Sequence, residues 1–251
     1  MASAKKGSIG IGNFRLYTEK ERDNHIGALV AEWENEKREA REKKKPLPFL
    51  TISRQYGSMS LEAGLRIEAL LNQTVKTSPK WTLYDKEIVK KISEELHVER
   101  LNELLTESTR SRIAEYMRAH FLGDPSRDQV FQTTVRIVRS LCEKGRTVVI
   151  GRGGCCIASD LSNGFHIRVT APFEWRVNQI SSFFSTPREE TEKRIRLIDS
   201  EREAFIKNYF NRDISDPDLY DLVLNQERLS MDVMAQIVVS AMKEKGLFRE
   251  P

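Results

Sequence analysis

Long apolar runs are missing from this 251-residue chain: no stretch approaches the roughly 18–20 residues that a membrane span requires. The first residues, Met1-Ala-Ser-Ala-Lys-Lys, lack the apolar centre of a secretory signal. Cysteine is scarce as well. Three cysteines, two of them adjacent at Cys155 and Cys156, offer no C-x-x-C pair and no even-numbered disulfide framework, which points to a reducing cytoplasm. His25, His97, His120 and His166 are scattered without metal-ligand spacing, and no G-x-S-x-G elbow is present. Charge of one sign is also lacking. Forty-one Lys+Arg oppose 37 Asp+Glu and leave only +4, with no basic stripe of the kind a dedicated nucleic-acid binder carries. Local anion sites are compatible with that balance. A hydrophobic fraction of 39% beside 31% charged residues indicates a globular domain plus strongly polar helical sequence. The length is enough to bury a core without staples.

Residues 1–17 carry Gly and Ser without a period and read as a loose tail. Between 19 and 45 both charge signs are dense, while Ile26, Leu29, Val30 and Trp33 fall at i, i+3, i+4 and i+7, one helical stripe. The plain reading of 19–45 is a solvated helix docked through one or two turns. The sharper one is a helix for a protein partner or self-association. After Pro48 the texture changes to short apolar runs separated by helical periods. Strands are expected at 49–53, 147–150, 165–170 and 221–225. Helices are expected from about Leu61, over much of 86–122, and at 128–144, 173–184, 188–210 and 231–245. That alternation predicts a parallel α/β sheet covered on both faces.

Ligands of such sheets bind outside the carboxyl ends of the strands, which selects three regions. In Ser53-Arg54-Gln55-Tyr56-Gly57-Ser58-Met59-Ser60, backbone N–H groups and a helix N-terminus could cradle phosphate, although an ordinary βα turn would look similar. Gly151-Arg152-Gly153-Gly154 allows close backbone approach to an anion beside a forked guanidinium charge. It misses a dinucleotide fingerprint, because Cys156 occupies the last glycine place. The helix 188–210 carries Arg188, Lys193, Arg194, Arg196, Arg202 and Lys207. It reads as a solvated charged helix or as a lid reaching transferring phosphates. Cys155 and Cys156 are expected to pack as small residues behind the glycine loop.

The ordered set Thr51-Ile-Ser-Arg-Gln-Tyr-Gly-Ser58, Leu83-Tyr-Asp-Lys-Glu-Ile88, Val148-Val-Ile-Gly-Arg-Gly-Gly154, Ala171-Pro-Phe-Glu-Trp-Arg176, Asp199-x-x-Arg202 and Tyr220-Asp-Leu-Val-Leu-Asn225 resembles the cytidylate kinase-like family, a branch of the P-loop nucleoside monophosphate kinases. The resemblance implies a three-layer α/β/α P-loop kinase fold over residues 48–251, with a helical insert at about 86–145, a lid at about 173–212, and residues 1–47 as an extension. It implies ATP-dependent phosphoryl transfer to a nucleoside monophosphate, CMP or dCMP, with Mg²⁺. Carried over by position, Arg54, Gln55, Tyr56, Gly57 and Ser58, with Ser60, would hold the donor phosphates. Tyr84 and Asp85 would meet the acceptor. Arg152, Arg176, Asp199 and Arg202 would act along the phosphate path and the lid.

The sequence departs from the family pattern in two places. The usual P-loop lysine is missing, and Met59-Ser60-Leu61 stands where relatives carry paired glycines and an arginine. Gly153 stands where cytidylate kinases show aspartate. Two functions are therefore weighed: a cytidylate-type kinase whose other arginines replace the loop lysine, and a nucleotide-binding sensor or scaffold on the same fold.

Overall fold

Near-continuous apolar runs four to seven residues long can be buried only where helices cover both faces of a sheet, and the chain folds accordingly. The computed structural model describes residues 46–76, 78–95 and 129–248, with 10, 11, 14, 15, 23, 24, 26–31, 33, 111 and 113 besides. Two-residue strands β1 (Gly10–Ile11) and β2 (Phe14–Arg15) pair antiparallel in the segment that sequence patterning left as a tail. The main elements follow as β3 (Phe49–Arg54), α1 (Ser60–Thr74), β4 (Thr82–Tyr84), α2 (Lys86–Glu95), α3 (Gln129–Lys144) and β5 (Thr147–Ile150). After these come α4 (Gly154–Ile157), β6 (Gly164–Thr170), α5 (Phe173–Phe184), α6 (Arg188–Phe210), β7 (Leu222–Asn225) and α7 (Met231–Glu244).

Five strands form one parallel sheet in the order β4-β5-β3-β6-β7. The loop-bearing strand β3 is central, and Phe49, Leu50 and Ile52 are fully buried in it. On one face Ala63, Ile67 and Leu71 of α1 join Val238 and Met242 of α7 over Leu50, Ile52, Leu83 and Ile150. Full burial of each such aliphatic side chain contributes roughly 1.5–3 kcal/mol. On the other face Ile88, Val89 and Ile92 of α2 and Val135, Val138 and Leu141 of α3 pack together with Phe49 and Val149.

Ile26, Leu29 and Trp33, 2%, 1% and 2% exposed, belong to that second cluster, with Val30 against it. The apolar stripe of the charged N-terminal helix therefore lies in the chain's own core, which leaves its polar faces for any partner. Residues 34–45 lie outside the described residues, as does most of the insert between 96 and 128. Among the described residues no helix is long and apolar enough to cross a membrane.

One side-chain tie and one backbone tie position the glycine loop and the turn that follows it. Arg139 of α3 donates to both carboxylate oxygens of Asp160, 2.7 Å each, and to the Ile157 carbonyl at 2.9 Å. The Gly151 N–H donates to the Ile52 carbonyl at 2.9 Å, which pins the end of β5 to the end of β3.

Candidate functional site

β3 and β5 are neighbours, so the loops leaving their carboxyl ends are brought side by side. Together with the first turn of α2 and the middle of α6 they enclose a cavity of about 560 Å³. Its polar wall carries Arg54, Lys86, Arg152, Arg194 and Arg202, against a single lining carboxylate, Glu201. Its other wall is apolar, built by Cys155, Ile198, Phe205, Ile206 and Ile214. A small ligand with an anionic end and a flatter apolar body fits that division.

The close approach of Arg54 explains a glycine. Gly151 has φ +78°, and a Cβ built there would lie 1.7 Å from Arg54 Nη1. The guanidinium of Arg54 thus rests against the glycine backbone at the cavity wall. Burial, with repulsion from Arg202 and Arg152, pushes its pKa down to about 9, while Asp85 acts in the opposite sense. It still carries its charge at neutral pH. Burial lowers Arg152 too, opposed by Glu87 and Asp85, and the Arg152 Nε is buried without a hydrogen-bond partner. Arg152 itself sits at φ 54°, in the left-handed region. Burial likewise lowers Arg202, opposed by Asp199 and Tyr56, with Arg168 and Arg176 adding repulsion. Cations packed this closely store repulsion that a bound polyanion would relieve.

The loop 54–58 is arranged differently from a bare phosphate cradle. Asp199 of α6 accepts the Tyr56 N–H at 2.7 Å on Oδ1, and its Oδ2 accepts from Arg176 Nη1 at 2.6 Å. Arg176 is 4% exposed. It donates in addition to the Tyr56 carbonyl at 2.8 Å and, through Nε, to the Ala171 carbonyl at 3.0 Å. Arg202 Nη1 donates to the Arg54 carbonyl at 3.1 Å. The Tyr56 ring lies 5.8 Å from both the Arg194 and the Arg202 guanidinium carbons. The Gln55 side chain accepts the Ala171 N–H at 3.1 Å, and the buried Ser58 hydroxyl donates to the Gln55 carbonyl at 2.8 Å. α5 covers the turn: a Cβ at Gly57, φ +85°, would meet Ile180 at 3.1 Å and Arg176 Cβ at 3.2 Å.

Of the sequence-nominated residues, Arg54, Tyr56, Arg152 and Arg202 line the cavity together. Gln55, Gly57, Ser58 and Ser60 do not line it. Arg176 and Asp199 meet each other on the loop. Tyr84 is 3% exposed inside the core beneath α2, so the position expected to meet an acceptor has its side chain in packing. Asp85 caps α2, accepting the Glu87 and Ile88 N–H groups at 3.0 and 2.9 Å, and its charge reaches Arg54 and Arg152. Arg194, one of the cations on the helix read as a lid, also lines the cavity, and Lys86 and Glu201 line it without having been expected there. Only the tertiary meeting of α2 and α6 distinguishes them from ordinary helix-surface charges. Met59, at φ 39° and ψ 37°, begins α1 with no side-chain cap, while Leu61 packs toward the α1–α7 side of the core rather than the cavity.

The donor set fits phosphate better than it fits a resident metal. The unpartnered Arg152 Nε and the Arg54 guanidinium are anion donors. Among the described residues no cluster of three or more His, Cys, Asp or Glu could hold a metal ion. A Mg²⁺ ion ordinarily keeps several waters and takes its ligands from substrate phosphates plus one or two protein oxygens, so it would arrive with the nucleotide.

A central loop strand flanked in the order β4-β5-β3-β6-β7, with helices on both faces and arginines at the strand ends, defines a three-layer α/β/α P-loop kinase fold. Residues 49–228, well over half of the chain, match the cytidylate kinase-like family, and the chain belongs to it. A crystal structure of an uncharacterized protein from Eubacterium ventriosum shares 15% identity at a TM-score of 0.61, covering 80% of this chain and 99% of that one. The shikimate kinase from Acinetobacter baumannii, solved in complex with shikimate, shares 11% identity at a TM-score of 0.43, covering 84% and 99%. No curated protein matches the chain.

Proposed function

We propose that this member of a kinase-like family transfers the γ-phosphoryl group of ATP to a nucleoside monophosphate, with CMP and dCMP the first candidates by family. The observation that carries the reading is the cavity at the strand ends, where Arg54, Lys86, Arg152, Arg194 and Arg202 face one carboxylate. Phosphoryl transfer asks little covalent chemistry of the protein; positioning and neutralisation of charge supply most of the rate. The side chains of Arg54, Arg152 and Arg202 bind and orient the acceptor phosphate, and their charge faces the phosphoryl group in transfer, which a loop lysine would otherwise meet. The apolar wall at Phe205, Ile206 and Ile214 shelters the nucleoside and excludes water. The backbone of the loop 54–58, with Ser60 at the start of α1, holds the donor phosphates, and Arg176 stands over them. Mg²⁺ would supply charge neutralisation between the two phosphate groups. In this reading residues 48–251 are the working unit, and the cytoplasm, where nucleotides are abundant, is its place.

A second reading is favoured by one arrangement. The Tyr56 amide is taken by Asp199, in a loop that has no lysine and has Met59 at a left-handed position. On that ground the protein would bind a nucleotide as a sensor without turning it over. A coupled ADP-release assay across the common nucleoside monophosphates separates the two. ADP release that requires an acceptor, and that Arg152→Ala abolishes in a folded protein, supports the kinase. Nucleotide binding with no acceptor-dependent release for any monophosphate supports the sensor.

A further inference from the structure

We infer that Asp199 is a built-in competitor of the donor phosphates. Its carboxylate fills the anion position of the 54–58 loop, and only a ligand carrying phosphoryl charge can expel it. The inference rests on reading that loop as the donor site. Three observations carry it. First, Asp199 presents its two oxygens to the two groups that would receive a phosphate, the Tyr56 N–H at 2.7 Å and Arg176 Nη1 at 2.6 Å. Second, Arg176 does not depend on Asp199 for its position. It is held by the Ala171 and Tyr56 carbonyls at 3.0 and 2.8 Å, so removal of Asp199 leaves a buried guanidinium still aimed at the loop. Third, Asp199 shares α6 with Arg194 and Arg202, which line the acceptor cavity. Arg202 Nη1 lies 3.9 Å from Asp199 Oδ1, so displacing the carboxylate takes a charge partner from a cavity arginine.

A carboxylate on two charge-assisted hydrogen bonds is a good mimic of one phosphate edge and a poor rival for a phosphate group of higher charge. Asp199 accordingly sets a threshold. Polyphosphates enter, and singly charged anions do not. Arg202 loses its carboxylate neighbour only once the donor is seated, which couples the two sites through the Asp199–Arg202 pair on α6.

The test compares wild type, Asp199→Asn and Asp199→Ala by calorimetric titration with Mg²⁺–ATP and with tripolyphosphate. Melting temperature and exchange of the Tyr56 amide proton are followed in parallel. Asn keeps an acceptor for Tyr56 without the charge, and Ala removes both. The expected order of affinity is Ala above Asn above wild type. Alanine should tighten ATP by about tenfold or more, the scale of one charge-assisted contact. The melting temperature of the free protein should fall, and in Asp199→Ala the Tyr56 amide should lose protection that ATP restores. Folded variants that bind ATP no more tightly than wild type would overturn the inference alone and make Asp199 a structural clamp. Failure of ATP and tripolyphosphate to bind wild type and both variants would overturn it together with the donor-site reading.

Discussion

Replacing Gly151 by alanine should damage the site through a contact that no inspection of alanine itself would suggest. The new Cβ would lie 1.7 Å from Arg54 Nη1, a distance no non-bonded pair of atoms tolerates, so the guanidinium must leave the cavity wall. Residue 151 also sits at φ +78°, where a non-glycine residue costs about 1–2 kcal/mol. Folding stability should therefore fall by about that amount. Ligand binding should fall by a separate amount: one charge-assisted phosphate contact, about 1.5–3 kcal/mol, or roughly 10–150-fold in affinity. Arg54→Ala removes the same contact without the backbone strain, so it should lose a similar factor in binding and little stability. The double variant should bind no worse than Arg54→Ala alone, because both changes remove one contact. Calorimetric titration with CMP beside urea unfolding measures both quantities. A Gly151→Ala protein that loses the expected stability yet binds CMP within twofold of wild type would refute the placing of Arg54 in the ligand site.

Arg152→Ala should reduce phosphoryl transfer far more than it reduces melting temperature, since its Nε has no hydrogen-bond partner to lose; parallel losses would make the residue structural. Met59→Gly relieves a left-handed backbone at φ 39° and should raise stability by about 0.5–1 kcal/mol after the entropy of glycine is counted, as read by urea unfolding. A drop in stability there would show that the Met59 side chain contributes more than its backbone strain costs. Burial depresses His166 to about 4, below its unfolded value near 6.5, so the unfolded chain binds the proton first. Its share of stability is complete above pH 6.5 and is lost as pH falls toward 4, with a slope of at most about 1.4 kcal/mol per pH unit. His166→Gln should flatten that part of the stability–pH curve, and an unchanged curve would reassign the acid sensitivity.

Much of the fold was legible because the chain is locally consistent. The strand 147–150 and the helices 173–184 and 188–210 fall where period and punctuation placed them. β4 was missed because three residues carry no period, and α4 because a single turn of four residues has no face to pattern. Arg54, Arg152 and Arg202 could be nominated because each stands at a strand end or on a motif. Arg194 could be named only as one of six cations on the helix read as a lid, and Lys86 not at all, since each is one charge among many on a polar helix. The pairing of Asp199 with the Tyr56 amide spans 143 residues, and no local rule reaches that far. Leu61 teaches the same lesson in reverse. The motif suggested a vacant cation position, but the helical period had already assigned the side chain to the core, where it packs.

The most direct test of the account is a crystal structure of the protein with CMP and a non-transferable ATP analogue. The account predicts the CMP phosphate within hydrogen-bonding distance of Arg54 and Arg152 in the cavity between the β3 and β5 loops. A CMP phosphate bound elsewhere, with those two guanidinium groups facing only solvent, would contradict it.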